Sequence, residues 1–179
     1  FDEEIHANQI PNIDLYMDQV IQLFENNLSS SKRYDTDKIL TKTMINNYAK
    51  DKLLFPIKNK KYSKEHILLM ILTYDMKQIL SIGDIKKIFR PMIEKLSVED
   101  DNFNIIDLYE KYILMKSKQI EEEKKQVSKI FEEISELYNP NEENISTGDY
   151  KELLSLVLSL LNSANQNKRL AEKIIDLYF

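Results

Sequence analysis

Two glycines in 179 residues, Gly83 and Gly148, constrain this chain more than any motif does. Phosphate-cradling loops, dinucleotide fingerprints and β-hairpins with primed turns need glycine where φ is positive or a backbone approaches a ligand closely. None of these is expected here. The four prolines (Pro11, Pro56, Pro91 and Pro140) are spaced like punctuation between helices. The expected fold class is all-α.

Hydrophobic periodicity fills in that outline. Leu15, Tyr16, Val20, Leu23, Phe24 and Leu28 make one apolar stripe, which predicts a first helix over 13–28. Thr41 is a candidate N-cap for a short helix to about residue 52, with Met44 or Ile45, Tyr48 and Ala49 inward. Its outward face is then Lys42, Thr43, Asn46, Asn47 and Lys50. Phe55-Pro56 stops it, and a basic loop follows over 58–62. Ser63 caps a helix over 64–78 with the stripe Ile67, Leu68, Ile71, Leu72 and Met76. Ser81 with Asp84 forms an approximate capping box for a short helix over 82–89, and Pro91 marks its end or a kink. The longest element spans about 105–138. Ile113, Ile120, Val127 and Ile134 recur in it at strict seven-residue spacing, with Tyr109, Lys116, Glu123, Ile130 and Leu137 as companions. That is a coiled-coil seam, polar in its middle on one side. Two more helices are expected, over 149–162 and 167–178. The first is so rich in leucine that burial on several sides is expected of it.

Catalysis finds no constellation to work with. His6 and His66 are the only histidines, and neither has a partner at metal or relay spacing; His66 suits a cap at the mouth of its helix. The runs Glu121-Glu122-Glu123 and Glu132-Glu133 lack the Glu-x-x-His step of a carboxylate metal site. With no cysteine there is no thiolate site and no disulfide, which fits the cytoplasm. No run of about 18 apolar residues suggests a membrane span. The acidic start Phe1-Asp2-Glu3-Glu4 is unlike the basic region of a secretory leader. A binding protein is expected, with no enzymatic activity, metal or cofactor.

Charge says where binding would occur. The net charge of −5 hides three blocks. Residues 1–31 hold six acids and no bases, residues 32–92 fourteen bases and six acids, and residues 93–179 eleven bases and eighteen acids. Between residues 32 and 64 ten bases face three acids. A basic segment in an acidic chain is the footprint of a nucleic-acid module.

Within that segment the order of features resembles the DNA-binding domain of MerR-type regulators. Ile45-Asn46-Asn47-Tyr48-Ala49-Lys50-Asp51-Lys52-Leu53-Leu54-Phe55-Pro56 looks like the recognition helix and its exit. Tyr48 falls on the second aromatic of the family's Arg-Tyr-Tyr run. Residues 58–62 look like the wing and its closing tyrosine, and Leu80-Ser81-Ile82-Gly83-Asp84-Ile85-Lys86 like the family's Phe-Ser-Leu-x-Glu-Ile-Lys segment. Asn46 and Asn47 depart from the Arg-Tyr pair, Lys52 from the usual Gly, and the connection over 29–40 is long. From Ile13-Asp14-Leu15-Tyr16-Met17-Asp18-Gln19 through Thr43-Met44-Ile45-Asn46-Asn47-Tyr48, the chain as a whole looks like a Firmicute family catalogued as a domain of unknown function, DUF1836.

The resemblance implies a winged helix-turn-helix DNA-binding domain over 1–95. It is followed by a helical dimerisation or regulatory region over 96–179: a long coiled-coil-type helix and a C-terminal helical pair. Double-stranded DNA would be read by Lys42, Thr43, Asn46, Asn47, Tyr48 and Lys50, and gripped by Lys58, Lys60, Lys61 and Tyr62. Asn is the side chain suited to adenine, and Lys and Thr to guanine and phosphate. A homodimer would close along Ile113, Ile120, Val127, Ile130, Ile134 and Leu137. The competing reading is a protein-interaction adaptor that keeps a winged-helix fold without binding DNA. A small-molecule or protein effector is compatible with either.

Overall fold

A computed structural model of the chain describes residues 4–98, 102–138 and 149–179. It is helical throughout, with one two-stranded sheet among the described residues. Six helices follow in order: α1 (Met17–Leu28), α2 (Lys42–Lys50), α3 (Lys64–Lys77), α4 (Ile82–Ser97), α5 (Ile105–Tyr138) and α6 (Tyr150–Tyr178). The strands are β1 (Leu15–Tyr16) and β2 (Lys61–Tyr62), antiparallel, with Leu15 opposite Tyr62 and Tyr16 opposite Lys61.

The core is organised around α3. Eight consecutive residues, His66 through Thr73, are buried, where the stripe alone would have buried half of them. A helix apolar on all sides must be enclosed. Tyr62 and the sheet, α4 and the first turns of α5 enclose it. Its one buried hydroxyl is satisfied: Thr73 Oγ1 donates to the Leu69 carbonyl at 2.7 Å. The N-terminal segment crosses α5, where Tyr109 Oη donates to the Ile5 carbonyl at 2.7 Å. Tyr112 Oη donates to Asp75 at 3.1 Å, and Lys116 lies 3.4 Å from both Asp75 and Glu4. Burial first, and the Asp75 charge second, push both tyrosines well above their ordinary pKa. The contiguous core runs from Ile5 to Ile113, past the domain boundary expected near residue 95 and into α5.

Several elements depart from the sequence reading for definite reasons. The first helix begins at Met17 because the Gln19 side chain accepts from the Tyr16 N–H at 2.8 Å, a cap that holds Leu15–Tyr16 extended for pairing. Pro91 lies inside α4. It sits on an exposed face, where solvent reaches the Lys87 carbonyl that the proline leaves unbonded. The expected pair of C-terminal helices is one continuous helix, α6. Ser163, Ala164, Asn165 and Gln166 cost at most a few tenths of a kcal/mol to about 0.7 each in helix propensity. Breaking there would expose a fresh set of unbonded amides and carbonyls at two new ends.

Glycine scarcity did not prevent left-handed corners. Lys52, Asn59 and Lys60 have φ of 59°, 52° and 58°. Lys52 closes α2 in a Schellman motif: Leu53 N–H donates to the Tyr48 carbonyl at 2.9 Å, and Lys52 N–H to the Ala49 carbonyl at 3.1 Å. Asn59 and Lys60 are the two central residues of a primed hairpin turn, in which Lys61 N–H donates to the Lys58 carbonyl at 3.0 Å. The expectation that no primed turn could form is therefore corrected: asparagine, which tolerates this region, and lysine take glycine's place. Lys52 stands in strained backbone, so Lys52→Gly should raise unfolding stability by about 1 kcal/mol in denaturant titration; an unchanged or lower midpoint would show that the corner carries no strain.

Candidate nucleic-acid interface

α2 is a nine-residue helix with two distinct faces. Thr41 Oγ1 accepts from the Met44 N–H at 3.2 Å and starts it, as its sequence position suggested. Ile45 and Tyr48 are buried, while Met44 and Ala49 pack against the core from its edge. Lys42, Thr43, Asn46, Asn47 and Lys50 are exposed together on the other side. Lys42 makes an ion pair with Asp18 at 2.7 Å in which both partners are mostly in water, so it is worth little. At the far end Asp51 is paired with Lys86 of α4 at 2.8 Å.

Tyr48 and Tyr62 do not join this surface. They are 2 % and 4 % exposed and belong to the core. Tyr48 lies three residues after Ile45, so helical spacing turns both inward together. Burial first and Tyr74 second push its hydroxyl up to about 12, which keeps it neutral. Burial likewise raises Tyr62. Both rings fasten the surface from beneath and are out of reach of a base or phosphate.

The lysine turn and α2 meet at one corner. Lys58 and Lys60 are exposed on the turn. Lys61 lies over the exposed ring of Tyr16, 5.0 Å from its centroid. Tyr16 immediately precedes α1, and Asp18, the partner of Lys42, stands in the first turn of α1. The start of α2 and the end of the turn are thus moored two residues apart at the entry to α1. Helical spacing groups Tyr16 with an apolar stripe. Only Gln19, three residues on, marks it as the residue before the helix.

His66 ties the exit of α2 to the start of α3. Ser63 N–H donates to His66 Nδ1 at 3.1 Å, which leaves Nε2–H to donate to the Phe55 carbonyl at 3.1 Å. The ring stacks on Phe55 with centroids 3.6 Å apart and meets Tyr62 edge-on at 6.1 Å. Sequence reading gave this histidine a capping role; its second bond and its aromatic enclosure depend on Phe55 and Tyr62 being folded beside it.

Among the described residues no group of acidic, histidine or cysteine side chains is arranged to hold a metal ion. No described helix is long and apolar enough to cross a membrane. Residues 5–112 match the model of a family described as a domain of unknown function, DUF1836. The chain belongs to this family. No curated protein and no solved structure matches it significantly. The DUF1836 match ends one residue short of Ile113, where the contiguous core ends. It therefore takes in α1 to α4, both strands and the first turns of α5, and with them the whole basic corner.

The seam residues expected to dimerise lie in different surroundings. Ile113 belongs to the main core, Ile134 is buried farther along α5, and Ile120, Val127 and Ile130 are half-buried. The elements packed along α5 are α3, the N-terminal turn and, over its distal half, α6 of the same chain. Leu137 is 80 % exposed.

Burial, the largest influence on His66, holds its pKa below the ordinary value; the weaker pull of the Phe55 carbonyl, Glu65 and Asp14 acts the other way. The unfolded chain therefore takes up the proton first. The stabilisation by neutral His66 is present in full above the unfolded pKa, about 6.5, and is lost as pH falls through the lower folded value. His66→Gln keeps an acceptor for Ser63 N–H and should lower stability by about 1–3 kcal/mol at pH 7.5. Its penalty should shrink at pH 5.5 in paired denaturant titrations; an equal penalty at both pH values would refute this account.

Proposed function

We propose that this protein is a DNA-binding transcriptional regulator of MerR-like type, acting as a dimer in the cytoplasm. Residues 1–95 are read as a divergent winged helix-turn-helix, with α2 as its reading helix and the 58–61 turn as its wing. Residues 96–179 are read as the dimerisation and regulatory region.

The observation that carries this reading is the exposed face of α2 beside the lysine turn. α2 has nine residues, and a helix about 10–12 Å across with its side chains fits a major groove roughly 12 Å wide. Asn46 and Asn47 can each offer a donor and an acceptor to an adenine edge. Lys42 and Lys50 flank them, and Lys58, Lys60 and Lys61 of the adjoining turn are read as the phosphate contacts. Thr43 can reach either a base edge or a phosphate. An effector is compatible with this arrangement. An apolar groove of about 1070 Å³ between the end of α3, α4, α5 and the second half of α6, with Met76, Met92, Tyr112 and Phe179 in its walls, touches both regions.

One observation favours the adaptor reading. Asp18, largely exposed, stands beside Lys42 in the first turn of α1, where it would face phosphate of like charge. A protein partner with its own lysine or arginine would meet no such repulsion.

The two readings separate on a pool of random AT-rich duplexes at two salt concentrations. The regulator should enrich a palindrome, with log K falling by roughly 0.9 per phosphate neutralised for each unit of log salt. Asn47→Ala should cost about 1–3 kcal/mol at one base pair, whereas Lys60→Ala should weaken all sequences alike and flatten the salt slope by about 1. A folded protein that binds no duplex at low salt would leave the adaptor standing.

A further inference from the structure

α6 is inside out over its first half. The residues it turns inward there are Glu152, Ser155, Leu156, Ser159 and Ser163, all buried or half-buried. The residues it turns outward are Leu153, Leu154, Val157, Leu158, Leu160 and Leu161, each with 38–57 % of its surface bare. A helix packed on one side only places its apolar face inward and its serines in water. Here the order is reversed. Farther along, Lys168, Ala171, Glu172 and Ile175 turn toward the rest of the chain and Asp176 pairs with Lys87 of α4 at 3.2 Å, while Leu170, Ile174 and Leu177 stay exposed.

We propose that the α5–α6 hairpin is half of a four-helix bundle, completed by a second copy of this chain docked leucine face to leucine face through α6. Three observations select a second copy as the occupant. The first is charge. Residues 153–167 contain no charged side chain in a chain that is 31 % charged. In a two-fold pairing the patch must complement itself, so like charges gathered on it would repel; a face without charges meets its copy at no such cost.

The second is area. Six aliphatic side chains at about half exposure leave on the order of 500 Å² bare, at the upper end of what a monomer shows. Pairing two such faces covers on the order of 1,000 Å², the threshold of a specific interface. Leu137, Tyr138 and Tyr150, exposed at the adjoining ends of α5 and α6, lie ready to add to it.

The third is geometry. The distal seam of α5 already lies along α6 of its own chain, and Tyr138 Oη lies 3.0 Å from Ser155 Oγ between the two helices. The hairpin therefore presents its second apolar layer through α6, and two hairpins stacked on that layer close a bundle. The pairing surface lies on α6 and leaves the α5 seam in place within each chain. This inference takes from the regulator reading only that the protein acts as a pair.

The test uses the full chain without nucleic acid, so its failure and the failure of DNA binding are separate results. Sedimentation should give the wild type twice the chain mass of 21.2 kDa. The double variant Leu158→Glu with Leu161→Glu should sediment at 21.2 kDa with its helical circular dichroism retained. A monomeric wild type, or a double variant that stays dimeric, overturns the proposal. So does a monomer that partitions onto phosphatidylcholine vesicles, which would make the face a lipid-binding one. Should the double variant fail to fold, cross-linking decides, because the chain has no cysteine of its own. Leu158→Cys, at the middle of the face, should oxidise to a linked dimer, and Lys118→Cys on α5 should not. Linkage through Lys118→Cys instead would place the interface on α5 and overturn the assignment to α6.

Discussion

Burial of α3 on all sides is the constraint on which the N-terminal unit depends. Ile67, Leu68, Leu69, Met70, Ile71 and Leu72 have no face left for water. Each such side chain contributes about 1.5–3 kcal/mol on transfer from solvent, and truncating one typically costs 2–5. A helix buried this completely needs neighbours all round it, and the chain supplies them from distant parts of the sequence. The sheet, α4, α5 and the N-terminal segment all close on the core that contains it. The basic corner is a consequence. α2 is held by Ile45 and Tyr48 from below, and His66 fixes the chain that leaves it. The exposed lysines and asparagines are therefore displayed on a rigid base, which is what any recognition surface requires.

Among the described residues the backbone takes its left-handed corners without glycine, and each lies on or beside that surface. Lys52 ends α2, while Asn59 and Lys60 turn the lysine hairpin. Lysine in left-handed backbone costs stability that glycine would not. In return each corner keeps a cation at the edge of the exposed face of α2 or on the adjoining turn. A chain selected only for stability would place glycine there. Local strain at positions suited to binding is consistent with the proposed role, because strain persists where the surrounding structure holds it.

The C-terminal half obeys a different rule. The core and the DUF1836 match both give out within the first turns of α5, near residue 113. Beyond them α5 and α6 have chiefly each other to pack on, and two helices cannot bury both of their apolar faces. α5 gives its seam to α6, and α6 keeps a second face outside. The seven-residue spacing in α5 marks an apolar seam, and α6 of the same chain packs along that helix. The spacing alone does not say whether the partner of a seam belongs to the same chain.

Much of the fold was legible in the sequence because it rests on local rules. All-α character followed from helical spacing and the scarcity of glycine, and the caps from short-range side chains: Thr41 and Ser81 hydroxyls accept from amides three residues on, and His66 accepts from the Ser63 N–H. The two faces of α2 followed from the same periodicity, which also set Tyr48 inward although a resemblance suggested the surface. Other features are decided only by residues far apart in the sequence. The pairing of Leu15 with Tyr62, the enclosure of His66 and the union of the lysine turn with α2 at the start of α1 are of that kind. So is the outward leucine face of α6, because leucine content measures how much apolar surface a helix must hide and carries no information about the direction in which its cover lies. Local spacing fixes which side chains share a face; which neighbour covers that face is settled by long-range packing, where loop-closure entropy and buried area compete across the whole chain.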